Sequence, residues 1–183
     1  MATRAFVPPP GTIACWRIDL DQPEALVADL ATVLSADERE RAARFMFARD
    51  RRQFTVTRAC LRVLLAGCRD ERAAAIRFAY AQHGKPSLAP DASRPAVHFS
   101  VSHAGNLALI ALTGDAPLGI DVEPVRSLPD MFAIASRFFT AAEAQTIAAA
   151  SPHERDLAFF LCWTRKEAFS KALGDGLTLA LKL

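Results

Sequence analysis

Apolar positions change period several times along this chain, and the changes mark its elements. Residues 12–20 alternate apolar and polar side chains, the period of a half-buried strand. From Pro23 to Val33 the spacing turns helical behind a proline, which suits a first turn because its missing N–H has no partner there. Ser35 followed by Glu38 is a capping-box pattern and predicts a helix through Arg41, Arg44 and Phe45. Phe54, Arg58/Leu61 and Leu65 keep helical spacing in a second helix, expected from about residue 50 to residue 66, with Gly67 as its stop. Residues 75–81 read as a strand.

The middle of the chain is β-rich. Val97, Phe99 and Val101 alternate, Ala104-Gly105-Asn106 turns, residues 107–113 return, and Gly114 to Pro117 turns again before residues 118–123, which predicts an antiparallel meander. Met131 to Phe139 reads as a helix, Thr140 with Glu143 opens another, and Ser151, Pro152 and Glu154 open a longer one to about Leu173, ended by Gly174 and Gly176. Residues 177–183 are strand-like and predict sheet partners that the sequence does not contain. Strands and helices segregate instead of alternating as parallel βαβ units, so the expected class is α+β.

Composition narrows the function classes. With 183 residues, 51% of them hydrophobic, the chain has material for one good core or two small subdomains. No apolar run reaches the length of a membrane span, and Met1 to Phe6 leads into prolines and not into a secretory core, so a cytoplasmic location without membrane association is expected. Cys15, Cys60, Cys68 and Cys162 lack C-x-x-C spacing and are expected to be reduced packing residues. A net charge of +2 argues against nucleic acid as a partner, yet Arg39, Arg41, Arg44, Arg49, Arg51, Arg52, Arg58 and Arg62 crowd one stretch that suits phosphate. Of 22 basic residues only Lys85, Lys166, Lys171 and Lys182 are lysines, and three of these fall in the motifs below.

Asp121 and Glu123 are two apart on a predicted strand, project to one face and can chelate a hard cation; alone, the pair equally fits a solvated face. Glu167 and Lys171, four apart on the last helix with Trp163 a turn earlier, present a carboxylate beside an ammonium, or form an ordinary surface ion pair. Phe99-Ser100-Val101-Ser102-His103 ends a strand beside the small residues Ala104 and Gly105, where His103 can donate to a phosphate. Adjacent strand residues point to opposite faces, so Ser102 and His103 make a poor nucleophile pair. His83 is open to either reading, and His98 and His153 read as structural or solvated. Gly84-Lys85-Pro86 places a lysine in a rigid turn, where it is expected to be held outward.

The order of these motifs is more specific than any one of them. G-K-P, F-S-V-S-H, G-I-D-V-E, R-F-F-T-x-x-E, W-x-x-K-E-x-F-x-K and G-x-G-L follow in register, and from about residue 34 onward the series resembles a Sfp-type 4'-phosphopantetheinyl transferase. The resemblance implies a pseudo-dimer of two similar α+β halves, here residues 1–112 and an incomplete 113–183, with coenzyme A between them. It implies Mg²⁺-dependent transfer of 4'-phosphopantetheine from coenzyme A to a serine of an apo acyl or peptidyl carrier protein, by a monomer.

By position, Asp121, Glu123 and Glu167 match the metal-binding acids. Glu167 also matches the base for the carrier serine, and Lys171 matches the lysine at the reacting phosphates. Arg41, Lys85, Pro86, Ser102 and His103 match contacts to coenzyme A, with Arg49 added from the basic segment. Glu38 departs from the basic residue that relatives often carry in this segment, which would pass part of the adenosine-phosphate grip to neighbouring arginines. Relatives also continue beyond the last residue here, which keeps open a coenzyme A- or carrier-binding protein without turnover. A metal-dependent phosphohydrolase is the more distant alternative.

Overall fold

The computed structural model of the protein describes residues 6–80 and 84–174. The strand expected over 177–183, and with it Gly176, Lys182 and His83, lies outside the described residues. The elements, in order, are β1 (Ala14–Asp19), α1 (Glu24–Ala31), α2 (Ala36–Ala43), α3 (Ala48–Arg69), β2 (Phe78–Tyr80), β3 (Pro86–Leu88), β4 (His98–Ala104), β5 (Leu107–Thr113), α4 (Met131–Phe138), α5 (Ala141–Ala149) and α6 (Arg155–Leu173). The architecture is α+β, with antiparallel sheets and helices grouped apart.

The main sheet has the order β1-β5-β4, all antiparallel. β5 is central and reads Leu-Ala-Leu-Ile-Ala-Leu-Thr, the continuous apolar run of a strand covered on both faces. Leu61, Leu65 and Cys68 of α3 pack on Phe99, Ile110 and Leu112 of the sheet, and Leu20, Val56 and Ala108 extend that core towards α1. A separate core joins α4, α5 and α6 through Met131, Ala135, Phe139, Ile147, Phe159 and Phe160. Trp163 belongs to this second core, stacked on Phe159 at 6.0 Å between ring centroids.

Both capping boxes form, Ser35 with Glu38 on α2 and Thr140 with Glu143 on α5, and α6 ends on Gly174 at φ 83°. Three expectations fail for identifiable reasons. Gly67 does not stop α3: buried Cys68 and Arg69 carry the helix on to a left-handed cap at Asp70, outweighing the roughly 1 kcal/mol that a helical glycine costs. The strand expected over 75–81 shrinks to Phe78–Tyr80, because Ala73–Ala75 form a 3₁₀ turn. Residues 118–123 do not complete a meander; they run as an extended segment between Pro117 and Pro124, which supply no N–H at either end, and β1 takes the place beside β5. Cys15 is exposed and not a packing residue; all four cysteines are unpaired.

Candidate active site

The site forms where the extended segment 118–123 is pressed between β4 and α6. Gly119 makes the approach possible: a Cβ there would lie 1.7 Å from the Ala168 carbonyl oxygen and 2.7 Å from the Ala172 nitrogen. On its other side the segment is held by hydroxyls in place of a backbone ladder. Ser100 and Ser102, two apart on β4, accept from the Ile120 N–H at 3.1 Å and the Val122 N–H at 3.3 Å. Asp121 is thereby set against Lys171, whose Nζ donates to Asp121 Oδ1 at 2.6 Å. The Ser102 hydroxyl donates to that same oxygen at 2.8 Å, with Lys171 Nζ 3.0 Å from Ser102 Oγ.

The charges at this junction are not balanced. The Asp121 side chain is 6% exposed, and its Oδ2 is buried without a hydrogen-bond partner, as is Glu167 Oε1. Burial first, then the negative charges of Asp121 and, more weakly, Glu123 push the Glu167 carboxyl above its ordinary range, against the opposing pull of the Lys171 ammonium. Glu123 is more open and lies 3.8 Å from Arg126. Among the described residues no three ligand-type side chains converge into a ready metal cage. The two orphaned carboxylate oxygens nevertheless fit a hard cation, which would relieve the repulsion between Asp121 and Glu167 and give both oxygens a partner.

Lys166, next to Glu167, has a structural task. Its Nζ lies 2.9 Å from Glu143 Oε2, the oxygen that also accepts from the Thr140 N–H at 2.8 Å. The N-cap of α5 is thus tied to α6 one residue from the candidate base. Burial raises the Glu143 carboxyl, but the Lys166 ammonium and the Thr140 amide and hydroxyl outweigh it and hold the group below its usual value.

Two adjoining clefts open from this junction and share Pro86 and Val101 as walls. The inner one, about 390 Å³, is lined by Lys85, Ser100, Glu167 and Lys171. The outer one, about 480 Å³, is lined by Arg41, Phe54, Thr57, Arg58 and His103. Arg41 and Arg58 both stack near Phe54, at 5.3 Å and 5.8 Å from its ring centroid. Thr57 Oγ1 and Arg58 Nη1 are buried without partners, so the outer cleft carries donors to spare.

The structure brings together Asp121, Glu167, Lys171 and Ser102, with Pro86, Arg41 and His103 along the connected clefts. It corrects three placements. Lys85 is not held outward: its Nζ donates to the carbonyls of Lys171 and Ala172, and to that of Leu118 at 3.3 Å, because the last turn of α6 leaves carbonyls that a cation satisfies well. Arg49 lines neither cleft and pairs at the surface with Asp50 at 3.3 Å. Arg62, counted in the basic cluster, is 1% exposed and bonds Glu38 Oε2 at 2.6 Å. Thr57 has no place in the sequence reading, and Arg58 and Ser100 enter it only as members of the arginine cluster and of the F-S-V-S-H motif. The i, i+4 spacing of Gln53, Thr57 and Leu61, with Phe54 and Arg58 beside it, was the available signal for the α3 wall.

Unbalanced, partly buried acids beside a lysine, with a basic and partly aromatic cleft alongside, suit a polyanionic substrate. Residues 22–114 match the family model described as 4'-phosphopantetheinyl transferase, N-terminal, and residues 117–183 match that of the 4'-phosphopantetheinyl transferase superfamily. The chain is 41% identical to 4'-phosphopantetheinyl transferase HetI of Nostoc sp. over 162 residues, 88% of this chain and 68% of the relative. It is 32% identical to 4'-phosphopantetheinyl transferase ffp of Bacillus subtilis over 83% of this chain and 65% of the relative. For the human L-aminoadipate-semialdehyde dehydrogenase-phosphopantetheinyl transferase the figures are 35%, 81% and 51%. The chain therefore belongs to the 4'-phosphopantetheinyl transferase superfamily, a family of transferases, and spans about two thirds of the bacterial relatives and half of the human one.

Proposed function

We propose that the chain carries the site that transfers the 4'-phosphopantetheine arm of coenzyme A to a serine of an apo acyl or peptidyl carrier protein, with Mg²⁺ as cofactor. The observation that carries this reading is the pair of buried, unpartnered oxygens, Asp121 Oδ2 and Glu167 Oε1, beside the Lys171 ammonium. Asp121 and Glu167 would hold the ion, with Glu123 near them, and a bound Mg²⁺ would neutralise charge on the coenzyme A pyrophosphate. The carrier serine oxygen attacks the phosphorus that bears the pantetheine arm, its proton passes to the Glu167 carboxylate, and the bond to adenosine 3',5'-bisphosphate breaks. Glu167 suits that task because burial and its acidic neighbours raise its basicity. Lys171 stays as a cationic donor at the reacting phosphates.

The outer cleft takes the adenosine-phosphate end through Arg41, Arg58 and His103. The two cores support a division into two halves near residues 112 and 113, and we place the reaction, by a monomer, in the cytoplasm, where coenzyme A and reduced thiols coexist. No helix among the described residues is long and apolar enough to cross a membrane. Incubation with apo carrier, coenzyme A and Mg²⁺, followed by mass spectrometry of the carrier, tests the proposal. A carrier that gains the phosphopantetheine mass only when the divalent ion is present supports it. A carrier unchanged while coenzyme A binds makes this chain a binding protein, and cleavage of coenzyme A without modification of the carrier makes it a phosphohydrolase.

A further inference from the structure

By resemblance Ser102 is a contact to coenzyme A, yet its hydroxyl is committed inside the protein. It accepts from the Val122 N–H at 3.3 Å, lies 3.0 Å from the Lys171 ammonium and donates to Asp121 Oδ1 at 2.8 Å. A hydroxyl has one hydrogen and two lone pairs, so these three bonds use its whole capacity. The residue is 6% exposed. Ser102 and Lys171 thus both hold Oδ1 of Asp121, and a carboxylate held by two donors on one oxygen offers the other in a fixed direction. That other oxygen, Oδ2, is the buried one without a partner.

We infer that Ser102 is a positioning residue of the cation site: it locks the Asp121 carboxylate and the backbone of segment 120–122 so that Oδ2 is presented to the divalent ion. The inference rests on the cation reading proposed above. Ser100 supplies an internal control. It makes the same kind of bond, to the Ile120 N–H at 3.1 Å, and is equally buried at 5% exposure, but no bond joins it to Asp121 among those of the described residues. Both serines seat the segment, and only Ser102 also bonds the carboxylate.

The test is Mn²⁺ binding, read from the signal of the free ion by electron paramagnetic resonance with coenzyme A present, beside coenzyme A binding measured without metal. Ser102→Ala should weaken Mn²⁺ binding about tenfold or more, in line with the loss of a group that orients a metal ligand. Metal-free coenzyme A binding should stay within about twofold, because all three bonds the hydroxyl can make are taken inside the protein. Ser102→Thr, which keeps the hydroxyl, should restore Mn²⁺ affinity. Ser100→Ala should lower the melting temperature and cost less Mn²⁺ affinity than Ser102→Ala. Should the alanine variant not fold, Ser102→Cys keeps the volume, weakens the hydrogen bonds and reads the same quantity. Unchanged Mn²⁺ affinity in the folded variant, or an equal loss of metal-free coenzyme A binding, overturns the inference while leaving the cation site standing. A wild-type protein that takes up no Mn²⁺ defeats the cation site itself, and the inference falls with it.

Discussion

Glu38 and Asp121 are both buried carboxylates gripped by a basic side chain from a neighbouring helix, at 2% and 6% side-chain exposure, and they differ in what faces the second oxygen. Glu38 Oε2 receives the Arg62 Nε at 2.6 Å and the Ser35 N–H at 3.0 Å, while Oε1, which like Asp121 Oδ2 has no hydrogen-bond partner, faces the positive charge of a second guanidinium, Arg58, at 3.7 Å. Arg62 Nη1 donates to the carbonyls of Ala73 and Ile76. Asp121 Oδ1 is held just as firmly, but Oδ2 has no donor and repels Glu167. The first cluster is closed electrostatically and fixes α2 on α3. The second is short of positive charge, and the proposed cation site rests on that deficit.

The strongest way to break this comparison is Glu167→Gln, which keeps the shape and removes charge and basicity. Transfer should fall by about 10³-fold or more, with coenzyme A binding largely retained, as single-turnover kinetics on an apo carrier would show. A variant that kept most of its rate would remove Glu167 from the chemistry. Arg62→Met addresses the closed cluster: it strands the Glu38 carboxylate in the core and should cost about 3 kcal/mol of stability in urea unfolding. If stability were unchanged, the Glu38 pair would not be the fixed support described here.

Gly119→Ala tests whether the open cluster depends on close backbone approach. Its Cβ collides with the α6 backbone, so a loss of about 2 kcal/mol is expected, together with weakened metal dependence of transfer. The smallest effect is expected from Glu143→Gln, which preserves the capping pattern but removes the negative charge that Lys166 meets at 2.9 Å, for about 1 kcal/mol at neutral pH. Glu143 is held below its usual value in the folded protein, so its contribution is complete above the ordinary carboxylate range and disappears as pH falls through the lowered value. The stability gap between wild type and this variant should therefore close in acid; a gap independent of pH would contradict the ion pair.

Local features were legible in the sequence. Both capping boxes, the glycine that ends α6 and the helical placement of Glu167 and Lys171 depend on residues three or four apart. What escaped depends on distant partners. The Lys85 turn points inward because the end of α6, 86 residues further on, offers carbonyls to its ammonium. The alternation of residues 118–123 was visible, but the sequence does not show that serine hydroxyls, and not a strand, would take their N–H groups. The arginine run looked uniformly basic, although burial turns Arg62 into a packing residue and leaves Arg41 at the cleft. Glu38, read as a loss to the phosphate grip, is the acid that holds Arg58 and Arg62 in place.

The claim that the open cluster is a cation site is tested most directly by titrating Mn²⁺ into the protein with coenzyme A present, comparing wild type with Asp121→Asn. The account predicts a single site in the wild type and at least about a tenfold loss of affinity in the variant, which keeps the volume of Asp121 but removes its charge. Equal Mn²⁺ affinity in the two proteins would contradict it.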